Sequence, residues 1–279
     1  MKTLLLTLLC AAAILVSEAK IHHRRHAKTR AEEGKRLHLD HLRRGLAAVP
    51  VVLWHGMGDS CCNPLSMGSI IKLIKENVDG VYVHSLELGE NMASDIERGF
   101  LANMNDIVKL ACEQIAADPA LSQGYNAVGF SQGGLFLRAV AERCPEPPMK
   151  NLVSVGGPQQ VLLHNVKLLD LGAYVSYVQD NVVQAQYWHD SNNDGAYRNK
   201  NIFLADINNE KTMNADYKKN LFALKNLVLV KFKGDHMVDL IGLRKLQESG
   251  RLHFIEVEGE HLHIDSATFT EEIIDKYLK

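Results

Sequence analysis

Beyond its first 19 residues the chain has no apolar run approaching the ~20 residues that span a bilayer, so no stable membrane anchor is expected. It has no internal repeat and no low-complexity tract, which excludes a solenoid or a fibrous architecture. Its five cysteines form no Cys-x-x-Cys pair, so the spacing of a structural zinc site is missing. There is no Asn-x-Ser/Thr triplet to accept an N-linked glycan. Positive charge is scarce outside the N-terminus. Residues 1–44 hold 10 of the 31 Lys/Arg and 4 of the 33 Asp/Glu, leaving 21 against 29 in the remainder, a formal net charge of -8. An acidic domain of this kind repels phosphates, which excludes nucleic acid as a partner.

What remains is a chain of 279 residues, 46% hydrophobic and 23% charged, long enough to bury a substantial core as one domain with an insertion. Residues 1–19 combine a lysine, an apolar run and a Ser-x-Ala end, the pattern of a cleavable secretory signal. Residues 20–46 are crowded with basic residues and histidines. They read as a solvated basic leader, disordered or a propeptide, with Arg24-Arg25 and Arg43-Arg44 as processing sites. Residues 47–279 form the folded domain. If Cys10 leaves with the signal, Cys61, Cys62, Cys112 and Cys144 enter an oxidising compartment and allow three pairings. Joining Cys112 to Cys144 suits two helices lying side by side, and would leave Cys61 and Cys62 to form a vicinal bridge or stay free.

Apolar runs from Val49, Gly80, Tyr125, Asn151, Asn226 and Leu252 read as strands. Between them, residues 92–118 have apolar positions three and four apart, as one amphipathic helix would. Strands alternating with helices predict an α/β fold with a mostly parallel sheet flanked by helices. Residues 158–225 break the rhythm and read as a partly helical insertion covering the sheet's edge. In such sheets ligands sit at the carboxyl ends of the strands.

The chemistry centres on Gly129-Phe130-Ser131-Gln132-Gly133, a G-x-S-x-G run between a strand and a helix. Glycines there permit the sharp turn that lifts a serine hydroxyl above the sheet. A hydroxyl is a weak nucleophile and needs a histidine base, which in turn needs a carboxylate to fix its tautomer. Later strand ends supply both: Asp235, preferred to Asp239, and His261, preferred to His263, with His236 read as solvent-exposed. The Gln132 N–H and a second donor from the loop His55-Gly56-Met57-Gly58-Asp59, taken as Met57, would form the oxyanion hole. In that reading His55 is structural. No GxxxxGK follows the loop, so a phosphate cradle is the weaker alternative.

The stretches "WHGMGDSCCNPLSMG", "GYNAVGFSQGGLFLRAVAERCPEPPM", "YWHD", "IFLADIN" and "YKKNL" resemble the lysosomal-type palmitoyl-protein thioesterases, from about Val49 to the C-terminus. The resemblance implies an α/β-hydrolase of the secretory pathway that removes long-chain acyl groups from cysteine thioesters through an acyl-serine intermediate. It places the nucleophile on Ser131, the acid on Asp235, the base on His261 and the oxyanion donors on Met57 and Gln132. It also implies the pairs Cys61-Cys62 and Cys112-Cys144. Its substrates would be S-palmitoylated proteins or peptides and acyl-CoA, and no metal or organic cofactor is implied. The segments after Gln160 and after Asp239 are shorter than the family's, both near the expected acyl groove. Residues 158–225 would wall that groove, with Leu162, Leu163, Leu168, Leu169, Tyr174, Tyr187 and Trp188 as contributors. Lysosomal delivery follows from the resemblance, and secretion from the missing sequon. A lipase or carboxylesterase, or an inactive acyl-binding relative, is the alternative.

Overall fold

Four consecutive apolar residues form strand β1 (Val51–Trp54), buried throughout, as expected of a strand covered on both faces. The computed structural model describes residues 48–159, 172–190, 192–233 and 244–279. The expected signal, the leader, Leu162, Leu163, Leu168, Leu169, Asp235, His236 and Asp239 all lie outside the described residues.

After β1 come α1 (Met67–Asn77), β2 (Val83–Ser85), α2 (Met92–Arg98), α3 (Met104–Ala117), β3 (Tyr125–Phe130), α4 (Gln132–Arg143) and β4 (Met149–Val155). Short helices follow: α5 (Ser176–Asn181), α6 (Val183–Gln186), α7 (Asp194–Lys200), α8 (Leu204–Ile207) and α9 (Ala215–Phe222). Then come β5 (Asn226–Phe232), α10 (Arg244–Glu248), β6 (Leu252–Val257), α11 (Ser266–Phe269) and a wider helical segment, Thr270–Leu278. Among the described residues the sheet has six strands in the order β2-β1-β3-β4-β5-β6. Every neighbouring pair is parallel. From β1 the chain goes to β2 on one side, then crosses to β3 on the other. The carboxyl ends of β1 and β3 therefore flank a point where the winding reverses, the place where a crevice opens in such sheets.

Alternation along the strands splits the core into two layers. Val52 and Trp54 face a cluster with Leu135 and Phe136 of α4, while Val51 and Leu53 face one with Ile273 and Ile274 of the C-terminal helix. Helix α4 is buried from Gln132 to Glu142, so the helix that follows Ser131 runs through the interior instead of over the surface.

Two expectations change. The single helix expected over 92–118 is two, α2 and α3, interrupted at Gly99–Asn103, where the Asn103 side chain accepts from Asn105 N–H and starts α3. The strand expected from Gly80 shrinks to three residues, β2, at a sheet edge with β1 as its one neighbour. The described part of the insertion packs against α3 and α4. Its Val183, Tyr197, Phe203 and Leu221 share the cluster of Leu135 and Phe136, and Gln186 Oε1 accepts from Met104 N–H at 2.7 Å.

Candidate active site

Ser131 occupies the one-residue hinge between β3 and α4, at φ 50° and ψ -126°. A side-chain-bearing residue holds such a backbone only where its surroundings over-determine it. Here Ser131 N–H donates to Val155 O of β4 at 2.8 Å, and Ser131 O accepts from Gly134 N–H at 2.9 Å. The flanking glycines allow the close approach. A Cβ on Gly133 would lie 2.5 Å from Trp54 O of β1, and one on Gly134 would lie 2.9 Å from Ser154 Cβ of β4 while overlapping its Oγ. On Gly129 a Cβ would collide with the backbone of Gly133 itself. The G-x-S-x-G run is thus a wedge of bare backbone between β1 and β4, with the hydroxyl at its tip.

His261, in the loop after β6, brings Nε2 to 3.0 Å from Ser131 Oγ across 130 residues of sequence. Its ring meets Phe232 at the end of β5 edge-on, with centroids 6.1 Å apart, and it rests over Gly156, whose Cβ would stand 2.8 Å from His261 Cε1. Gly156 has φ 61°, so glycine is required there twice, by backbone and by space. His263 has no such relation to Ser131; its backbone N–H donates to Glu260 O at 2.9 Å in the same loop. The carboxylate expected at Asp235 falls just past the described end of β5.

The β1 loop stands beside the nucleophile: a Cβ on Gly56 would lie 3.3 Å from Ser131 Cβ. Gln132 is the first residue of α4, where a helix leaves its N–H without an intrahelical acceptor and free to bind an anion. Its side chain is buried and committed elsewhere, donating to Gly99 O at 3.1 Å and accepting from Tyr187 O–H at 3.5 Å. Burial pushes the Tyr187 phenol up to about 12, so it stays a donor. Gly99 O also accepts from the Gln184 side chain at 3.0 Å, which ties the insertion to the base of the site. Of the expected groove residues, Tyr187 reaches this region, whereas Trp188 packs with Ala173 and Ala185 in a separate small cluster joined by Tyr174.

Two pairs of ionisable side chains are buried among the elements that carry the site. His55 and Asp95 are 0% and 1% exposed, with His55 Nε2 3.2 Å from Asp95 Oδ2, a contact bent away from good hydrogen-bond alignment. Burial alone would lift the Asp95 carboxyl. The bonds from His55, Cys61 N–H and Leu88 N–H, with the His55 charge, outweigh burial and hold it below its usual value. On α4, Arg138 Nη1 lies 3.2 Å from Glu142 Oε1 in the interior, and burial pushes Glu142 up to about 7 against the pull of Arg138 and Arg143.

Cys61 is bonded to Cys62, and Cys112 of α3 to Cys144 at the end of α4. Cys61, Cys62 and Glu87 bring ligand-type atoms within 4.8 Å of one another, but the two sulfurs are consumed by their mutual bond, leaving no thiolate for a metal. Sequence reasoning missed Asp95 and Gly99, since one reads as an ordinary helix charge and the other as an ordinary glycine inside a helical pattern.

A strained serine touching a histidine, beside a glycine loop at a winding reversal, is the equipment of an acyl-transferring hydrolase. Comparison with known proteins agrees. Among solved structures, a monoacylglycerol lipase from Paleococcus ferrophilus superposes with a TM-score of 0.51 at 16% identity, covering 81% of this chain and 92% of that one, a likeness of fold. Palmitoyl-protein thioesterase 1 of Caenorhabditis elegans is 53% identical over 82% of this chain and 91% of its own length. Palmitoyl-protein thioesterase 3 of Dictyostelium discoideum is 31% identical over 77% of this chain and 86% of its own. The family profile described as palmitoyl protein thioesterase matches residues 50–240, more than half of the chain, and reaches from the β1 loop past Ser131 to beyond β5. This α/β-hydrolase therefore belongs to the palmitoyl protein thioesterase family.

Proposed function

We propose that the protein hydrolyses long-chain acyl thioesters, palmitoyl groups on protein or peptide cysteines above all, through an acyl-serine intermediate. The observation that carries the reading is the 3.0 Å approach of His261 Nε2 to the Oγ of a backbone-strained Ser131 in a chain 53% identical to a palmitoyl-protein thioesterase. Ser131 Oγ attacks the thioester carbonyl carbon as His261 Nε2 takes its proton, and Asp235 holds the imidazolium. The charge gathering on the carbonyl oxygen is met by the Met57 and Gln132 N–H groups. The C–S bond then breaks, and the cysteine sulfur leaves with the proton from His261. A thiol of pKa about 8.5 departs more easily than an alcohol, so a thioester asks less of the general acid than an oxygen ester does. Water, deprotonated by His261, attacks the acyl-serine and releases the fatty acid. Acyl-CoA fits the same chemistry.

Residues 158–225 form one wall of the acyl groove in this reading. The relatives whose names call them lysosomal thioesterases, among them one from Bos taurus at 28% identity, support a place in the secretory pathway ending in the lysosome. Among the described residues, no helix is long and apolar enough to cross a membrane.

The test is turnover of a palmitoyl-cysteine peptide and its palmitoyl-serine analogue by wild type and Ser131→Ala, from pH 4 to 8. Thioester preference, lost by roughly ten-thousand-fold or more on substitution, is expected. Preference for the oxygen ester would replace the reading with an esterase, and inertness of the folded protein towards both would remove it.

A further inference from the structure

The Gly56–Met57 peptide unit is held from one side. Its carbonyl, Gly56 O, receives His55 Nδ1 at 2.8 Å and Asp59 N–H at 3.3 Å. Behind His55 stands Asp95 of α2, itself bound by two backbone donors and facing His55. Oδ1 accepts from Leu88 N–H at 2.8 Å, and Oδ2 accepts from Cys61 N–H at 2.9 Å and faces His55 Nε2 at 3.2 Å. Both side chains are fully enclosed, so no water competes for these contacts. A trans peptide points its C=O and its N–H in opposite directions. Fixing Gly56 O towards His55 therefore also fixes the direction of the Met57 N–H, in a loop whose Gly56 abuts Ser131. A hydrogen bond accepted by the carbonyl also polarises the N–H of the same unit, making it a better donor.

We propose that Asp95 and His55 are positioning residues for catalysis: Asp95 locks the His55 ring, and His55 sets the plane of the Gly56–Met57 peptide so that its N–H meets the reacting carbonyl oxygen. The proposal deepens the hydrolase reading above, since it rests on Met57 as an oxyanion donor, but it does not depend on the substrate being a thioester. The Cys61–Cys62 bridge belongs to the same assembly, because the Cys61 N–H is one of the two backbone donors that orient the Asp95 carboxylate.

Two substitutions at one position separate the relay from general packing. An asparagine side chain places its amide nitrogen near the position of His Nδ1, and a glutamine places it near Nε2. His55→Asn thus keeps a donor to Gly56 O and gives up Asp95, whereas His55→Gln keeps the Asp95 contact and gives up Gly56 O. Removing an oxyanion donor outright costs about a hundred- to a thousand-fold in kcat, so a mis-set donor is expected to cost about ten- to a hundred-fold. The expectation is that His55→Gln and Asp95→Asn lower kcat by that amount with KM unchanged. His55→Asn should recover at least fivefold relative to His55→Gln. Binding of a trifluoromethyl ketone analogue, which forms an oxyanion on Ser131, should weaken in step with kcat, and binding of an uncleavable palmitoyl thioether should not change.

The kinetics are run on palmitoyl-cysteine peptide and on p-nitrophenyl palmitate. A wild type active on the second alone would sink the thioesterase reading and leave this one testable. Equal losses in the two His55 variants, losses that appear in KM, or unchanged kcat would overturn the positioning role. So would failure of both His55 variants to fold, judged by circular dichroism and melting, because the pair would then be holding the fold. If Asp95→Asn alone fails to fold, the His55 pair decides.

Discussion

Replacing Ser131 by alanine and by glycine separates the chemistry of the site from its strain. Both variants remove the Oγ that lies 3.0 Å from His261 Nε2, and neither should hydrolyse substrate detectably. They should differ in stability. At φ 50° and ψ -126° a residue with a Cβ stores about 1–3 kcal/mol of backbone strain. Alanine keeps that Cβ and the strain with it. Glycine releases the strain but gives the unfolded chain extra freedom, at a cost of about 0.5–1 kcal/mol. The bonds that hold the turn, Ser131 N–H to Val155 O and Gly134 N–H to Ser131 O, are made by backbone and survive in both variants. The hydroxyl bond to His261, about 0.5–1.5 kcal/mol at most, is lost in both and cancels. Subtraction leaves Ser131→Gly more stable than Ser131→Ala by about 1 kcal/mol, with a ceiling near ~2.5 kcal/mol. For a chain of this size that is about 2–4 °C in Tm, resolvable by calorimetry or by urea midpoints at constant m. An alanine variant more stable than the glycine variant would refute the claim that strain is stored at the nucleophile.

The crowding around the turn makes a second expectation. Gly134→Ala drives a Cβ into Ser154, so it should destabilise by about 1–3 kcal/mol or more, and Ser154→Gly in the same chain should restore much of the loss in urea unfolding. If the two effects simply add, the collision is not the cause. A third concerns Glu142, whose folded-state value is raised by burial to about 7 from 4.5. A raised carboxyl favours the protonated native form, so its contribution is fully present below about 4.5 and lost as pH climbs through about 7. Glu142→Gln removes that titration, and the stability drop between pH 5 and pH 8 should shrink by about 3 kcal/mol at most. A variant that keeps the wild-type slope would assign the drop to other groups.

Much of this architecture was legible because the central strands are buried on both faces. Val51–Trp54 and Tyr125–Phe130 are apolar nearly throughout, and no other structure accommodates such short runs as well. Ser131 was legible because glycines on both sides of one serine have few other uses. The break between α2 and α3 was not, since apolar spacing continues across it. The first helix stops at Gly99, the second restarts at the Asn103 cap, and what occupies the Gly99 carbonyl is a pair of glutamines, Gln132 and Gln184, far away in sequence. Asp95 was illegible for the same reason. In "SDIER" it looks like a solvent-facing charge, and its burial is set by His55, 40 residues earlier, and by backbone donors from two separate loops. Local patterns report local preferences. Partners contributed by distant segments leave no periodic trace.

The wedge of bare backbone around Ser131 has a consequence in time as well as in space. The serine's conformation exists only once β1 has closed over Gly133 and β4 has met Gly134 and accepted the Ser131 N–H. His261 comes from beyond β6, so its contact with Ser131 needs the whole parallel sheet in place, a slow topology to assemble. A nascent or half-folded chain therefore carries the nucleophile's residue but not the nucleophile. Folding and activation are one event: a chain that has not closed its sheet has no poised serine.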